Sequence, residues 1–115
     1  WVMSPEEAYK MAKAGADVIG AMIGVTLGGM SGESKVISLE EATKNIQAMI
    51  DAAKAVNHDI IVLTHGGPLN NVETAQYSIT HSDAVGYASG SSGERIPTEQ
   101  AVVKITRQYK SMKLS

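Results

Sequence analysis

The run His65-Gly66-Gly67-Pro68 carries the sharpest chemical signal in the chain. Its histidine ends an apolar stretch, Asp59-Ile60-Ile61-Val62-Leu63-Thr64, that reads as a strand buried on both faces. The imidazole therefore falls where a strand meets its loop. There it can act as general base, metal ligand or hydrogen-bond donor to an oxyanion. Gly66 and Gly67 remove the Cβ atoms that would hold a ligand off the backbone. A histidine satisfied by backbone in a tight turn is the plainer alternative. The second run is Ser89-Gly90-Ser91-Ser92-Gly93-Glu94-Arg95. Ser91, Ser92 and Gly93 offer hydroxyls and backbone N–H groups at the head of a helical turn, an arrangement that attracts anions. Arg95 suits a bidentate clamp on phosphate or carboxylate. Equally, Glu94 and Arg95 can pair with groups across the mouth of the site and brace the loop. The third run, Gly24 to Ile37, lacks periodicity, as lid loops do. Gly28, Gly29 and Gly32 would be its hinges, and a structureless surface excursion is the other reading. It is not a phosphate-binding P-loop, because Gly28-Gly29-Met30-Ser31-Gly32-Glu33-Ser34-Lys35 lacks the Gly-Lys-Ser/Thr ending.

The elements that must position these loops alternate along the chain. Ser4-Pro5-Glu6-Glu7 reads as a helix start, with Ser4 as cap and Pro5 at the first helical position. Ala8, Met11 and Ala12 share a face, and Gly15 ends that helix near residue 14. A buried strand is expected over residues 17–23. Ser38-Leu39-Glu40-Glu41 repeats the capping signature. The helix over 39–56 then carries Ala42, Ile46, Met49, Ile50, Ala53 and Val56 on one stripe. The second strand covers 59–64, and a short helix over 71–80 is capped by Asn70 or Asn71. A weaker strand covers 83–88. A last helix over 98–112 places Ala101, Val102, Ile105, Tyr109 and Met112 on one face.

Alternation of this kind means right-handed βαβ crossovers and a parallel sheet. Helix-to-strand connections are short, whereas strand-to-helix connections are long and rich in Gly and Ser. Ligands bind at the carboxyl ends of such strands, so one rim is scaffold and the other is site. His58 and His81 fall on the scaffold rim and read as structural. Asp17, Asp59 and Asp83 each precede a strand and hold turns there.

The 115 residues suffice for one domain, and three strands plus a stub at 1–3 are too few to close a barrel, which needs about 200 residues or more. The expected fold class is α/β: about three βα units forming the C-terminal part of a (β/α)8 TIM barrel with parallel strands. Ten Lys+Arg against twelve Asp+Glu argue against a nucleic-acid binder. No apolar run is long enough to span a bilayer. The absence of Cys excludes disulfides and thiolate chemistry. The expectation is therefore a cytoplasmic chain without nucleic-acid or membrane partners. Open strand edges and helix faces predict self-association of the isolated piece, and a homo-oligomer.

Five runs together are similar to a known family: Ala14-Gly15-Ala16-Asp17-Val18-Ile19, Gly24-Val25-Thr26-Leu27-Gly28-Gly29, Ser38-Leu39-Glu40-Glu41-Ala42, His65-Gly66-Gly67-Pro68 and Ser91-Ser92-Gly93-Glu94-Arg95-Ile96-Pro97-Thr98-Glu99. They resemble the phosphoenolpyruvate hydrolase-like TIM-barrel family, which also forms the C-terminal domain of tomato mosaic virus resistance protein-like proteins. The resemblance implies a segment holding the last three strands of the barrel and a site built from the three loops. Departures are Met22 where the family commonly has His, Leu27 in place of a Thr, and Gly93 where a larger residue is usual.

Two functions are carried forward. In the first, the chain is part of an enzyme, a hydrolase or lyase acting on a phosphoenolpyruvate-like small anionic substrate. His65, Arg95 and Glu94 would be catalytic. Thr26, Gly28, Gly29, Gly66, Gly67, Ser91, Ser92 and Gly93 would bind substrate. The N-terminal half of the barrel would be a partner and could supply ligands for a divalent metal such as Mg, since no two histidines here have metal-ligand spacing. In the second, the barrel is a non-catalytic binding or oligomerisation module beside a nucleotide-binding domain.

Overall fold

The computed structural model describes residues 1–26, 28–30 and 37–114. Leu27, the stretch 31–36 and Ser115 lie outside the described residues, and with them the proposed hinge at Gly32. The order is α1 (Pro5–Lys13), β1 (Val18–Met22), α2 (Leu39–Lys54), β2 (Ile61–His65), α3 (Val72–Thr80), β3 (Gly86–Tyr87) and α4 (Arg95–Lys110).

The caps form as their residue types dictate. The Ser4 Oγ accepts from the Glu7 N–H at 3.2 Å, and the Glu7 carboxylate accepts from the Met3 N–H at 2.7 Å. The Ser38 Oγ accepts from the Glu41 N–H at 3.1 Å. Asn71, and not Asn70, is the cap of α3, in a capping box with Thr74. Gly15 takes φ +95° just past α1, the left-handed angle that ends helices.

The sheet is parallel throughout, in the order β1-β2-β3. Val18 to Met22 pair with Ile61 to His65 in register, and Leu63 and Thr64 pair with Gly86 and Tyr87. On the free side of β1, Val2 forms a parallel bridge to Ala21, its N–H donating to the Gly20 carbonyl at 2.9 Å. Consecutive strands are thus spatial neighbours, all pointing one way. A doubly wound sheet would reverse its order at a switch point; here the βα units follow one another around, as in a TIM-barrel-like fold.

One sheet face is covered. Ile19, Ala21 and Val62 pack with Ala8 and Ala12 of α1 and with Ile46, Met49, Ile50 and Ala53 of α2. Burial of each large aliphatic side chain here contributes about 1.5–3 kcal/mol. Thr64 completes that face, its hydroxyl 3.1 Å from the Ser78 hydroxyl on α3. The opposite face bears Val18 and Ile61, 52% and 45% exposed, with Trp1 lying across Gly20. At the amino ends of the strands, Gln47 of α2 and Asp83 make reciprocal bonds, Asp83 N–H to Oε1 at 2.9 Å and Nε2 to Oδ2 at 3.0 Å. Asp83 thus ties α2 to the turn before β3.

Several boundaries differ from those the sequence suggests. β2 begins at Ile61 and includes His65, and the third strand shrinks to Gly86–Tyr87, which among the described residues pairs with β2 alone. α4 starts at Arg95, so Arg95 and Ile96 are helical and not part of a loop. Met11 and Val56, placed by periodicity on core faces, are 45% and 37% exposed. Met11 lies at the margin of the α1 contact face, and Val56 lies beyond the end of α2.

Candidate functional site

His65 is the last residue of β2, in register with Met22, on the uncovered face of the sheet. Its Nδ1 lies 2.6 Å from the Ala88 carbonyl at the end of β3. A carbonyl can only accept, so Nδ1 carries the proton and the neutral ring keeps its lone pair on Nε2. Among the described residues Nε2 has no hydrogen-bond partner. The ring is held between Trp1, at 4.5 Å between centroids, and the backbone of Gly90, where a Cβ would come within 3.1 Å of Cε1.

The glycines after His65 serve the packing of two loops. Gly66 has φ +79°, and a Cβ there would run into the Gly24 carbonyl. Gly67 donates its N–H to that same carbonyl at 3.3 Å. The loop after β1 therefore lies directly on the loop after β2, and the Gly67 amide is spent on that contact.

The run after β3 is anchored by a residue that sequence reasoning passed over. The Tyr87 hydroxyl donates to the Leu69 carbonyl at 2.8 Å and lies 2.6 Å from the Ser92 Oγ. Ser89 Oγ is 3.4 Å from the same hydroxyl of Ser92. The Gly93 and Glu94 N–H groups both donate to the Gly90 carbonyl, at 2.9 and 3.1 Å. Those two amides close the turn. Among the described residues the Ser91 and Ser92 N–H groups have no acceptor. Gly93 packs closely on Ser89 Oγ, which would have to turn aside for a Cβ.

Arg95 and Glu94 part company. Arg95 Nη2 reaches the carbonyls of Gly28 at 3.1 Å and Thr26 at 3.4 Å, and Nη1 pairs with Glu99 Oε1 at 3.2 Å. Glu99 Oε2 accepts from the Met30 N–H at 2.7 Å. The Met30 amide holds the Glu99 carboxyl below the ordinary glutamate range; partial desolvation opposes this and Arg95 reinforces it. Glu94 is exposed at the cap of α4 and makes no side-chain cap bond. The bracing reading thus describes Arg95, with Glu99 and not Glu94 as its acidic partner. The signal was present in the sequence: Arg95 and Glu99 stand four residues apart, the spacing of a helical ion pair.

Thr26 is buried, Gly28 and Gly29 are exposed, and all three stand on this rim with His65, Gly66, Gly67, Ser91, Ser92 and Gly93. Clefts flank it. One of about 470 Å³ is lined by Met3, Ser4, Met22, Gly24, Asn45 and Met49. Another of about 630 Å³ lies between α3 and the head of α4, beside Tyr87 and Ser92. Met3, Met22 and Met49 give the first cleft an apolar wall beside the polar side chains of Ser4 and Asn45. His58 is exposed beside Asp59, and His81 stacks on Tyr77 with Nδ1 on the Tyr77 carbonyl at 2.9 Å. Both stand away from the rim. Among the described residues no group of His, Cys, Asp and Glu could hold a metal ion. A divalent ion here would find one imidazole ligand from this chain.

Fold and rim together define a segment of a TIM-barrel-like protein with its loops gathered at the carboxyl ends of the strands. The phosphoenolpyruvate hydrolase-like family model matches residues 1–112, and the chain belongs to that family. Two relatives from Solanum lycopersicum are similar over nearly all of it. The ToMV susceptible protein tm-1(GCR26) is 43% identical over 115 residues, which is 99% of this chain and 15% of the relative. The ToMV resistance protein Tm-1(GCR237) is 42% identical with the same coverage. The chain thus spans about 15% of the length of these relatives. Among the described residues no helix is long and apolar enough to cross a membrane.

Proposed function

We propose that this chain supplies one wall of an anion-binding site at the carboxyl rim of the barrel, for a small phosphate- or carboxylate-bearing substrate of the phosphoenolpyruvate type. The observation that carries this reading is the His65 imidazole, oriented through Nδ1 by a backbone carbonyl with Nε2 unengaged. Such an outer hydrogen bond sets the tautomer and the ring direction of a working histidine. In this reading Nε2 takes a proton from the substrate or from water, and the protonated ring then donates to a developing oxyanion. The Ser91 and Ser92 N–H groups and the Ser91 hydroxyl receive the phosphate or carboxylate oxygens, while Gly66 and Gly93 shape the rim through close packing on Gly24 and Ser89. Gly67 contributes through its shape, since its amide is committed. Thr26, Gly28 and Gly29 cover the site, Arg95 supplies positive charge beside it, and Glu94 stands at its outer edge. A divalent metal such as Mg, if one takes part, draws its remaining ligands from outside these residues, and the protein works as a homo-oligomer in the cytoplasm.

The test uses the intact protein. Inorganic phosphate and phosphoenolpyruvate are titrated by calorimetry, and phosphate release from phosphoenolpyruvate is followed in parallel. Saturable binding and turnover are expected, with turnover falling about 100-fold or more in His65→Ala, the lower end of general acid–base contributions. Full turnover in that variant removes His65 from the mechanism.

Met22, facing His65 across the sheet, favours a second reading. With an apolar side chain where a second imidazole would stand, the barrel is a binding or oligomerisation module attached to a nucleotide-binding domain. Absence of both binding and turnover, with the oligomer intact, selects it.

A further inference from the structure

Gly20 stands in the middle of β1 without the positive φ that accounts for Gly24, Gly66 and Gly67. What requires a glycine there is Trp1, whose indole occupies the place a Cβ at residue 20 would take. Backbone pairing puts the indole in that position. The Val2 N–H donates to the Gly20 carbonyl and the Val2 carbonyl accepts from the Met22 N–H, both at 2.9 Å. Val2 is buried in the covered face of the sheet, so its neighbour Trp1 projects to the opposite face, as strand alternation demands. The row continues with Leu63, in register with Gly20, and then with Gly86, where a Cβ would come within 3.0 Å of the Leu63 side chain. Large and absent side chains alternate along it, and the indole takes the room that Gly20 leaves.

From there the indole reaches up to His65, with ring centroids 4.5 Å apart and planes tilted by 46°. One face of it lies on Gly20. Trp1 is nonetheless 65% exposed, so among the described residues its other face is bare above the sheet. A guest hydrogen-bonded to His65 Nε2 is within reach of that bare face. The face of an aromatic ring is the negative side of its quadrupole, so it turns charged oxygens away and accepts the carbon skeleton. A flat skeleton touches the ring along its whole length, whereas a saturated one touches it through a few hydrogens. We propose that Trp1 is the apolar wall of the anion site and selects guests whose carbon skeleton is flat, an unsaturated acid over a saturated one of equal charge. This rests on the proposed anion site and names the part of the guest, beyond its charge, that the site reads.

Fumarate and succinate test it on the intact protein, because they share charge and carbon number and differ in flatness. Each is titrated by calorimetry, alone and in competition with inorganic phosphate. Fumarate is expected to bind about fivefold more tightly than succinate, and phosphate to displace both. Trp1→Leu keeps apolar bulk and loses the flat face; it is expected to abolish the preference and leave phosphate affinity unchanged. Trp1→Phe keeps a flat face and is expected to retain the preference. Should Trp1→Leu fail to fold, Gly20→Ala, in which the indole must leave its place, is expected to lose the preference in the same way. Equal binding of the two acids by the natural protein, or an unchanged preference in Trp1→Leu, overturns the wall, and phosphate binding then leaves the anion site standing. Loss of phosphate along with both acids in Trp1→Leu makes Trp1 a support for His65 and likewise overturns selection. No binding of phosphate, fumarate or succinate by the natural protein removes site and wall together.

Discussion

α2 and α4 have the same length, sixteen residues each, and both carry an apolar stripe at helical spacing. α2 buries Ala42, Thr43, Ile46, Met49, Ile50 and Ala53. α4 buries none: its Val102, Ile105 and Tyr109 are 55%, 46% and 65% exposed, and Met112, just past its end, is 72% exposed. α2 is a core element held by apolar contact along its length. α4 is held at its first turns by polar contacts from Arg95 and Glu99 to the Gly28 carbonyl and the Met30 N–H, and by the bond from its cap Glu94 to the Gly90 carbonyl. Periodicity therefore identifies a face that can be buried, and the neighbours decide whether it is.

That contrast can be attacked in order of expected effect, each variant being made in the intact protein. Ile46→Ala, fully buried in α2, is expected to cost about 2–5 kcal/mol in denaturant unfolding, through lost burial and a residual cavity. A loss under 1 kcal/mol would mean that α2 is no more central than α4. Gly66→Ala forces a Cβ toward the Gly24 carbonyl at a positive φ, and about 2 kcal/mol or more should be lost. The damage should appear in calorimetric phosphate binding at the rim as well as in the melting temperature. Ile105→Ala on the exposed stripe should change stability by no more than about 0.5 kcal/mol. A drop as large as that of Ile46→Ala would show that a neighbour outside these residues covers α4, and would erase the contrast.

The smallest effect is a titration. Glu99 has its carboxyl held below the usual value in the folded chain. Its contribution is therefore complete above the unfolded glutamate pKa, about 4.3, and is lost only as pH falls through the lower folded value. The Met30 amide resonance should follow this transition at a pH below the ordinary carboxyl range, and Glu99→Gln should abolish it. A midpoint at or above the ordinary value would mean that the Met30–Glu99 fastener is not formed in solution.

Much of the rim was legible beforehand because strand ends and glycine runs are local signals. His65, Gly66, Gly67, Ser91 and Ser92 stand together at one end of the sheet, as alternating βα order requires. The partners of those residues were not legible. Nothing in the residue types said that the Ala88 carbonyl would orient His65, that the Tyr87 hydroxyl would hold Ser92, or that the Gly67 amide would be spent on Gly24. The His65–Ala88 and Gly67–Gly24 contacts join strands and loops far apart in the chain, where pairing depends on register, and the Tyr87–Ser92 contact, five residues apart, depends on how the turn between them folds. Arg95 shows the middle case. Its spacing to Glu99 is local and readable, but its grip on Thr26 and Gly28 spans most of the chain.

The sequence by itself determined the element order, the caps at Ser4 and Ser38, the parallel sheet and the family, because capping, periodicity and motif order are short-range properties of the chain; it left the α3 cap between Asn70 and Asn71. Only the tertiary structure decided which amides at the rim have no acceptor among the described residues, which face of the sheet is covered, and that Arg95 reaches the Thr26 and Gly28 carbonyls. Those outcomes depend on which groups meet across a sheet, and a meeting of that kind is set by three-dimensional packing rather than by any residue's own preference.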